Sequence, residues 1–198
     1  MNAWWLIVAG VGLVIASASV AAARRPVIGP TEIQVFHTVN GWPGWFYPIL
    51  WTPMQLGNLV VGTAAGLVVA LFDGDLAVAI GVVLAMLLKL VTERFVRREM
   101  ADYLFVRQRP GTSQVGAVLR GDVPVSGPSF PSGHVILVAG VGTVVAPNLG
   151  AAWSWAPALV ILLVMVGRVY VGAHNPLDVT AGLGAGLLLG GIIATLVD

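Results

Sequence analysis

The sequence predicts an all-α protein, folded as a bundle of six transmembrane helices. Of its 198 residues, 58% are hydrophobic and only 10% are charged, and the mean hydropathy is +0.92. A soluble globular domain carries about 25% charged residues, so this chain lacks the polar groups to cover a surface that faces water. The length fits a single domain, residues 1–198.

Six apolar runs supply the predicted spans, because a bilayer core takes roughly 20 apolar residues of helix. In chain order they are residues 4–23, 54–72, 76–90, 132–146, 153–171 and 176–197. The fourth run is short for a span. The first could instead be a signal peptide, since Ala21-Ala22-Ala23 resembles a cleavage site. It lacks a basic region before it and its apolar stretch is long for a signal peptide, so we predict a retained helix.

Two segments between the spans differ from the rest of the chain. Residues 30–53 carry a dense group of aromatic residues, namely Trp42, Trp45, Phe46, Tyr47 and Trp51. Such residues favour the headgroup level, which predicts an in-plane segment, either a plain aromatic belt or a rim where lipids enter. His37 is expected to be exposed there. Residues 111–127, rich in Gly, Ser and Val, predict a long loop that could cover a site. Arg120 on this loop could touch the substrate, but a solvated position is favoured.

Glycines one helical turn apart predict close helix packing. Gly62 and Gly66 belong to the second span, and Gly182, Gly186 and Gly190 belong to the sixth. Small residues let helices approach closely in lipid. Packing within the chain explains these glycines better than a dimer face does, and the oligomeric state stays open.

All ten Lys and Arg residues lie on one side of the predicted bundle or at its edge. They are Arg24, Arg25, Lys89, Arg94, Arg97, Arg98, Arg107, Arg109, Arg120 and Arg168. The positive-inside rule would make this side cytoplasmic, and the candidate site described next lies on the same side. Arginines that bind phosphate would not follow that rule, so Arg24 and Arg25 carry most of the topological information.

The start of the fourth span is a candidate anion site. Pro131 suits a first helical position, and the free N–H groups of the three residues that follow would face an anion. Gly133 would let a phosphate approach the backbone. His134 could give a proton to a leaving oxygen. An ordinary helix start, capped by Ser132, would show the same four residues.

A second candidate group surrounds the start of the sixth span. Arg168 ends the fifth span, where an unpaired charge in lipid is costly, so it needs an anion. His174 and Asp178 lie four residues apart across a helix start that Asn175-Pro176 predicts. Asp178 could fix the tautomer of His174 and leave the other ring nitrogen free to attack phosphorus. Separately, Asp178 could be a simple first-turn acid and His174 an interfacial residue.

Arg109-Pro110 completes a set of three segments, and an Arg fork can clamp two phosphate oxygens. Together the segments resemble the signature of the type 2 phosphatidate phosphatase superfamily, the lipid phosphate phosphatases. That signature is Lys, six residues, Arg-Pro; then Pro-Ser-Gly-His; then Ser-Arg, five residues, His, three residues, Asp. The resemblance covers about residues 85–190, and the six-helix layout agrees with it.

The resemblance implies a two-step phosphoryl transfer without a metal. His174 would attack phosphorus to form a phosphohistidine, with Asp178 holding it, and His134 would protonate the leaving group and then help to activate water. The implied phosphate ligands are Arg109, Ser132, Gly133 and Arg168. The implied substrate is a lipid phosphate or diphosphate, such as a polyprenyl phosphate or diphosphate, a phosphorylated polyprenyl-linked sugar, phosphatidate or phosphatidylglycerol phosphate. Its partners would be that lipid and the membrane.

Two positions depart from the family signature. Asp102 stands where the family has Lys, and Gly167 stands where it has Ser. An acid would repel a phosphate, so another base takes the role or the site is altered. Arg98, three helical turns before Arg109, could reach the same face. Weaker candidates are Lys89, Arg97 and Arg107. Residues 93–102 alternate in charge and could also pair among themselves on a solvated face.

Other classes of function follow from composition and from these departures. The chain has no cysteine, which excludes disulfides and thiolate metal sites, and with only three His a zinc site is not expected. We therefore expect no cofactor, and a net charge of +1 gives no indication of a nucleic-acid partner. Two alternatives to a phosphatase remain open: a lipid-binding membrane subunit with an altered site, and a phosphotransferase.

Overall fold

The computed structural model describes residues 3–25, 27–99 and 107–197. Within these ranges the chain is helical, and no strand forms apart from an isolated bridge between Gln108 and Pro128. The helices are α1 (Ala3–Ala23), α2 (Pro30–Asn40), α3 (Phe46–Met54), α4 (Leu59–Phe72), α5 (Leu76–Glu99), α6 (Pro110–Ser113), α7 (Gly133–Val145), α8 (Gly150–Trp153), α9 (Ala156–Tyr170) and α10 (Pro176–Val197). The predicted all-α class is confirmed.

Four helical stretches of the described chain are long and apolar enough to cross a membrane. They are Ala3–Ala23, Leu76–Arg98, Gly133–Trp153 and Pro176–Val197. A fifth arises if Phe46–Gly57 and Leu59–Phe72, bent by 73°, form one span. α9 has 15 residues, fewer than the roughly 20 that a straight crossing takes. A membrane-type helical fold is therefore present, whereas the predicted count of six spans is not confirmed.

The predicted second span is not one straight helix. The Asn58 side chain accepts hydrogen bonds from the N–H groups of Val60 (3.0 Å) and Val61 (3.4 Å), and α4 starts afresh there. Asn is among the preferred N-cap residues because its side-chain oxygen satisfies such free donors. The apolar run hides this break, since hydropathy continues through it.

The third helix extends beyond its expected end. α5 reaches Glu99 rather than Leu90, and its last turns carry the pair Lys89–Glu93 at 2.8 Å. Pairs four residues apart stabilise a helix, so the charged stretch continues α5 past the apolar run.

The aromatic segment between the first two spans folds into α2 and α3. Phe36 of α2 is fully buried against residues of α7 and α9. Trp42, Trp45 and Phe46 pack ring on ring. The segment is thus attached to the bundle, and its orientation in the membrane plane stays a prediction.

Glycines hold α7 and α10 close together. A Cβ added at Gly186 would lie 2.5 Å from the Cβ of Ala139, and one at Gly182 would lie 2.7 Å from the carbonyl oxygen of Ser132. On another face of α10, Gly184 leaves no room for a side chain beside Ala16 of α1. The glycine stripe of the sixth helix therefore serves packing within the chain, as predicted, and it keeps the starts of α7 and α10 close together.

Candidate active site

The residues of the second and third sequence segments lie together where α7 and α10 begin and α9 ends. The backbone N–H of Ser132 donates to the carbonyl of Asp178 at 2.9 Å, which ties the two helix starts together. The N–H of His174 donates to the carbonyl of Arg168 at 3.2 Å, across the turn that links α9 to α10. Residues that are more than 30 positions apart in the sequence thus form one site.

The loop that carries Arg109 is attached to the same turn. Arg109 Nη1 donates to the carbonyl of Ala173 at 3.0 Å. Asn175 is fully buried; its Nδ2 donates to the carbonyl of Gln108 at 3.2 Å, and its Oδ1 accepts from Nε2 of Gln114 at 2.8 Å. Asn175, expected only as a helix cap, therefore holds the Arg109 loop against the site.

Gly133 is required by a contact that the sequence did not reveal. A Cβ at this position would overlap the carboxylate of Glu93 on α5 and would lie 3.1 Å from Cε of Lys89. The Lys89–Glu93 pair therefore lies directly against the start of α7. The missing side chain at Gly133 makes room for this pair, and the approach of a phosphate to its backbone stays a prediction.

His174 and Asp178 face each other in a buried environment. The distance from His174 Nδ1 to Asp178 Oδ2 is 3.9 Å, too long for a hydrogen bond. Burial lowers the pKa of His174 well below its ordinary value, and the charges of Arg168 and Arg109 act in the same direction. The imidazole is therefore neutral at pH 7, the state in which a ring nitrogen can act as a nucleophile.

Arg107 is a site residue whose role sequence reasoning missed. It is 8% exposed, and its Nε donates to Asp178 Oδ1 at 2.9 Å. Its Nη2 contacts the carboxylate of Glu32 on α2, which also accepts from the N–H of Leu177 at 2.9 Å. Arg107 was considered only as a substitute phosphate ligand. No local pattern indicates its pairing, because Glu32 lies 75 residues away.

Three polar atoms of the site are buried without a hydrogen-bond partner. They are Ser132 Oγ, Arg168 Nε and His174 Nδ1. Buried polar atoms are nearly always paired, and leaving one unpaired costs about 1–3 kcal/mol. Two of the three are hydrogen-bond donors beside a neutral histidine, so the arrangement fits an anion such as a phosphate.

The family comparison agrees with this geometry. A family model described as the PAP2 superfamily matches residues 75–198, more than half of the chain. The chain belongs to the PAP2 superfamily. The matched region contains α5 to α10 and every residue proposed from the sequence signature.

Individual relatives of this PAP2 chain match over different lengths. An undecaprenyl-diphosphatase from Sulfolobus acidocaldarius is 35% identical over 85 residues, which are 42% of this chain and 40% of the relative. The crystal structure of Aquifex aeolicus LpxE has a TM-score of 0.72 at 23% identity, and the alignment covers 86% of this chain and 99% of that chain. LpxE therefore shares the fold.

A transmembrane PAP2 type phosphatidylglycerolphosphate phosphatase from Bacillus subtilis resembles the chain less closely than LpxE does. Its crystal structure has a TM-score of 0.43 at 22% identity, and the alignment covers 98% of this chain and 92% of that chain. The family assignment rests on the family model alone.

The two departures from the PAP2 signature have different outcomes. Asp102 lies outside the described residues. Gly167 has a packing reason, because a Cβ there would lie 2.7 Å from Sδ of Met54, where α9 packs on α3. Arg98, favoured as the replacement base, is exposed on α5. Of the weaker candidates, Lys89 lies against the start of α7 in this PAP2 protein, and Arg107 is paired with Asp178.

The prediction that Arg120 is solvated is wrong. Its guanidinium lies 4.1 Å over the ring of Tyr170 and donates to the carbonyls of Tyr170 (2.7 Å) and Trp42 (3.1 Å). One acceptor is at the end of α9 and the other lies just after α2, so Arg120 fastens the loop to the bundle.

Among the described residues of this PAP2 protein, no three His, Cys, Asp or Glu side chains are grouped as metal ligands would be. His134, His174 and Asp178 are instead spread across two helix starts with arginines between them.

Proposed function

We propose that this protein is a membrane phosphatase that hydrolyses a lipid phosphate monoester or diphosphate through a phosphohistidine intermediate. The observation that carries the proposal is the pair of unpartnered buried donors, Ser132 Oγ and Arg168 Nε, beside a neutral His174. A phosphate seated there would satisfy both donors and place its phosphorus next to a nucleophile. The membership of the chain in the PAP2 superfamily supports the same chemistry.

In the first step of the proposed reaction, Nε2 of His174 attacks phosphorus. Nδ1 is the nitrogen on the Asp178 side, which leaves Nε2 for the phosphate. An N–P bond forms, the P–O bond to the lipid breaks, and His134 gives a proton to the departing oxygen. Asp178 stabilises the positive charge on the imidazole by closing the 3.9 Å gap to a hydrogen bond, as catalytic contacts often tighten only when substrate is bound.

In the second step, water attacks phosphorus and the N–P bond breaks. His134 takes a proton from this water, and inorganic phosphate leaves. Arg109, Arg168, Ser132 and the backbone at Gly133 bind the non-bridging oxygens in both steps. Phosphoryl transfer depends mainly on positioning and charge stabilisation, which these groups supply, so the proposed reaction uses no metal and no other cofactor.

A lipid substrate is supported by the apolar surface beside the site. A groove next to Pro131 is lined by apolar residues of α1, α5 and α10 and of the segment that precedes α7. They include Val20, Val96, Leu188 and Phe130. An acyl or prenyl chain could lie along this groove while its phosphate enters the site. Because an undecaprenyl-diphosphatase matches part of the chain, a polyprenyl diphosphate is the first substrate to test. Six spans, an in-plane aromatic segment and a cytoplasmic site remain part of this proposal.

The test is phosphate release by the purified protein in detergent, with EDTA present. The substrates are a polyprenyl diphosphate, a polyprenyl phosphate, phosphatidate and phosphatidylglycerol phosphate, and His174→Ala is compared with His37→Ala as a matched control outside the site. We expect release that His174→Ala reduces by at least about a thousandfold, as loss of a nucleophile does, and that His37→Ala leaves unchanged.

The same experiment can reject the proposal. No release from any lipid by well-folded protein would favour the lipid-binding subunit instead. Release that withstands His174→Ala would reject the phosphohistidine mechanism. Transfer of the phosphoryl group to an added alcohol in preference to water would identify a phosphotransferase.

A further inference from the structure

Arg107 lies between two carboxylates that belong to two different helices. Its side chain is 5% exposed, and it pairs with Asp178 of α10 and with Glu32 of α2. A buried charge is costly to desolvate and needs close partners with good geometry. Arg107 has both, so Glu32 and Asp178 neutralise its charge. Its guanidinium is therefore not available as a phosphate ligand.

Glu32 does more than neutralise Arg107. Its carboxylate also accepts the N–H of Leu177, in the first turn of α10, at 2.9 Å. A negative charge at a helix N-terminus interacts favourably with the helix dipole. Glu32 therefore links α2, which lies outside the signature segments, to the helix turn that carries Asp178.

Each oxygen of the Asp178 carboxylate accepts a hydrogen bond in this arrangement. Oδ1 accepts from Arg107 Nε at 2.9 Å, and Oδ2 accepts from the backbone N–H of Asn175 at 2.9 Å. Both contacts fix the plane of the carboxylate and leave Oδ2 as the oxygen that faces His174. Without Arg107, Oδ1 would lose its hydrogen bond from a buried cation.

Glu32, Arg107 and Asp178 together carry a net charge of one negative unit. Arg107 alone would cancel the negative charge of Asp178 and weaken its effect on His174. Glu32 pairs with Arg107 from the other side, so the three groups together keep one negative charge next to the imidazole. That charge is what a cationic phosphohistidine requires, since Coulomb interactions are strong where water is excluded.

We infer that Glu32 and Arg107 are positioning residues, which orient the Asp178 carboxylate and preserve its negative charge opposite His174. The inference rests on the proposed function. Both side chains are paired with protein groups, so we expect their effect in the chemical step and not in binding. α2 is thereby part of the catalytic unit, although it contributes no residue to the phosphate site.

The test compares Glu32→Gln with Asp75→Asn, in kcat, KM and melting temperature on the lipid phosphate that the wild type prefers. Asp75 is a matched control because it too is a helix-capping carboxylate. It accepts the N–H of Val78 at the start of α5, whereas Lys89 and Glu93, which lie against the site, belong to the other end of that helix. We expect Glu32→Gln to lower kcat about 10- to 100-fold, as loss of an outer carboxylate behind a functional histidine does, with KM within about twofold. Asp75→Asn should leave kcat and KM unchanged.

A second measurement separates positioning from simple structural support. In an Asp178→Asn background, Glu32→Gln should cost little further kcat, because it acts through Asp178 and the two effects are not additive. Independent, additive losses would overturn the inference. So would a Glu32→Gln protein with unchanged kcat, or with an effect on KM alone.

Failure to fold and failure of the proposed function can both be recognised. If Glu32→Gln does not fold, Arg107→Lys keeps the charge but loses the fork that bridges both carboxylates, and an unchanged kcat in that variant would overturn the inference. If the wild type itself releases no phosphate, the proposed function is rejected and the inference falls with it. An active wild type whose kcat ignores these substitutions rejects the inference alone.

Discussion

The N-terminal ends of α4 and α7 differ in how they are capped. At α4, the Asn58 side chain accepts hydrogen bonds from two free N–H groups and has its capping role fulfilled. At α7, Ser132 occupies the same N-cap position, but its side chain makes no capping bond and its Oγ is buried without a partner. Both residues are common caps. The difference indicates that Asn58 stabilises its helix start, whereas Ser132 Oγ keeps a free donor, which under the proposed function would bind the substrate phosphate.

The largest effect should come from the carboxylate behind the site. Asp178→Asn keeps the shape of the side chain but removes the charge that would stabilise a cationic His174, so we expect kcat to fall by about 10³- to 10⁴-fold, as in other histidine–carboxylate pairs. Single-turnover phosphate release measures this loss. A variant that keeps a tenth of wild-type kcat would show that the carboxylate only supports the fold, and the distinction between the two helix starts would weaken.

A reciprocal pair of variants tests the two caps directly. Ser132→Ala removes a donor that has no partner in the free protein, so we expect kcat/KM to fall about 10- to 100-fold without loss of stability. Asn58→Ala removes two hydrogen bonds, so it should lower the free energy of unfolding by about 1 kcal/mol and leave kcat/KM unchanged.

Activity assays and unfolding measurements in the same detergent decide between these expectations. If Ser132→Ala is mainly destabilising, or if Asn58→Ala is mainly inactivating, the comparison of the two helix starts is overturned. Equal effects of both substitutions on both quantities would mean that Ser132 is an ordinary cap.

The smallest effect concerns pH. Hydrogen bonding from Val78 lowers the pKa of Asp75 by stabilising its charged form, whereas burial lowers the pKa of His174 by disfavouring its charged form. An ordinary histidine would lose about nine tenths of its neutral form on going from pH 7.5 to 5.5. Because the pKa of His174 lies well below 6.5, its neutral form persists as the pH falls.

We therefore expect kcat/KM at pH 5.5 to remain within about twofold of its value at pH 7.5, after correction for the ionisation of the substrate phosphate. A profile with an acid limb near 6.5 would show that His174 is more accessible to water than its burial indicates.

Much of the site could be predicted because its residues lie at helix ends. Pro131, Arg168 and Asp178 are placed by local rules, namely the preferences for a first helical turn and the cost of a charge in lipid. The structure brings these segments together as the signature implied. The role that each residue plays in catalysis stays a prediction.

What could not be predicted depends on contacts between distant parts of the chain. Glu32 contacts Arg107, 75 residues away in the sequence, and Leu177, 145 residues away. No local periodicity indicates contacts between residues so far apart in the sequence. The break at Asn58 was missed for another reason, since hydropathy is continuous across it. Arg120 was assigned to solvent because its acceptors are backbone carbonyls, which a sequence does not display.

The glycines of α10 have a consequence for how this protein tolerates change. Gly182 lies one turn after Asp178, and a methyl group there would meet the Ser132 carbonyl at 2.7 Å. Gly184, on a different face, is closed off by α1 in the same way. α10 is packed against α7 on one face and against α1 on another. A methyl group added at Gly182 would therefore displace Ser132 relative to Asp178. The distance between the two helix starts thus depends on glycines that carry no side chain. Substitution of these glycines would lower activity even with every site residue unchanged.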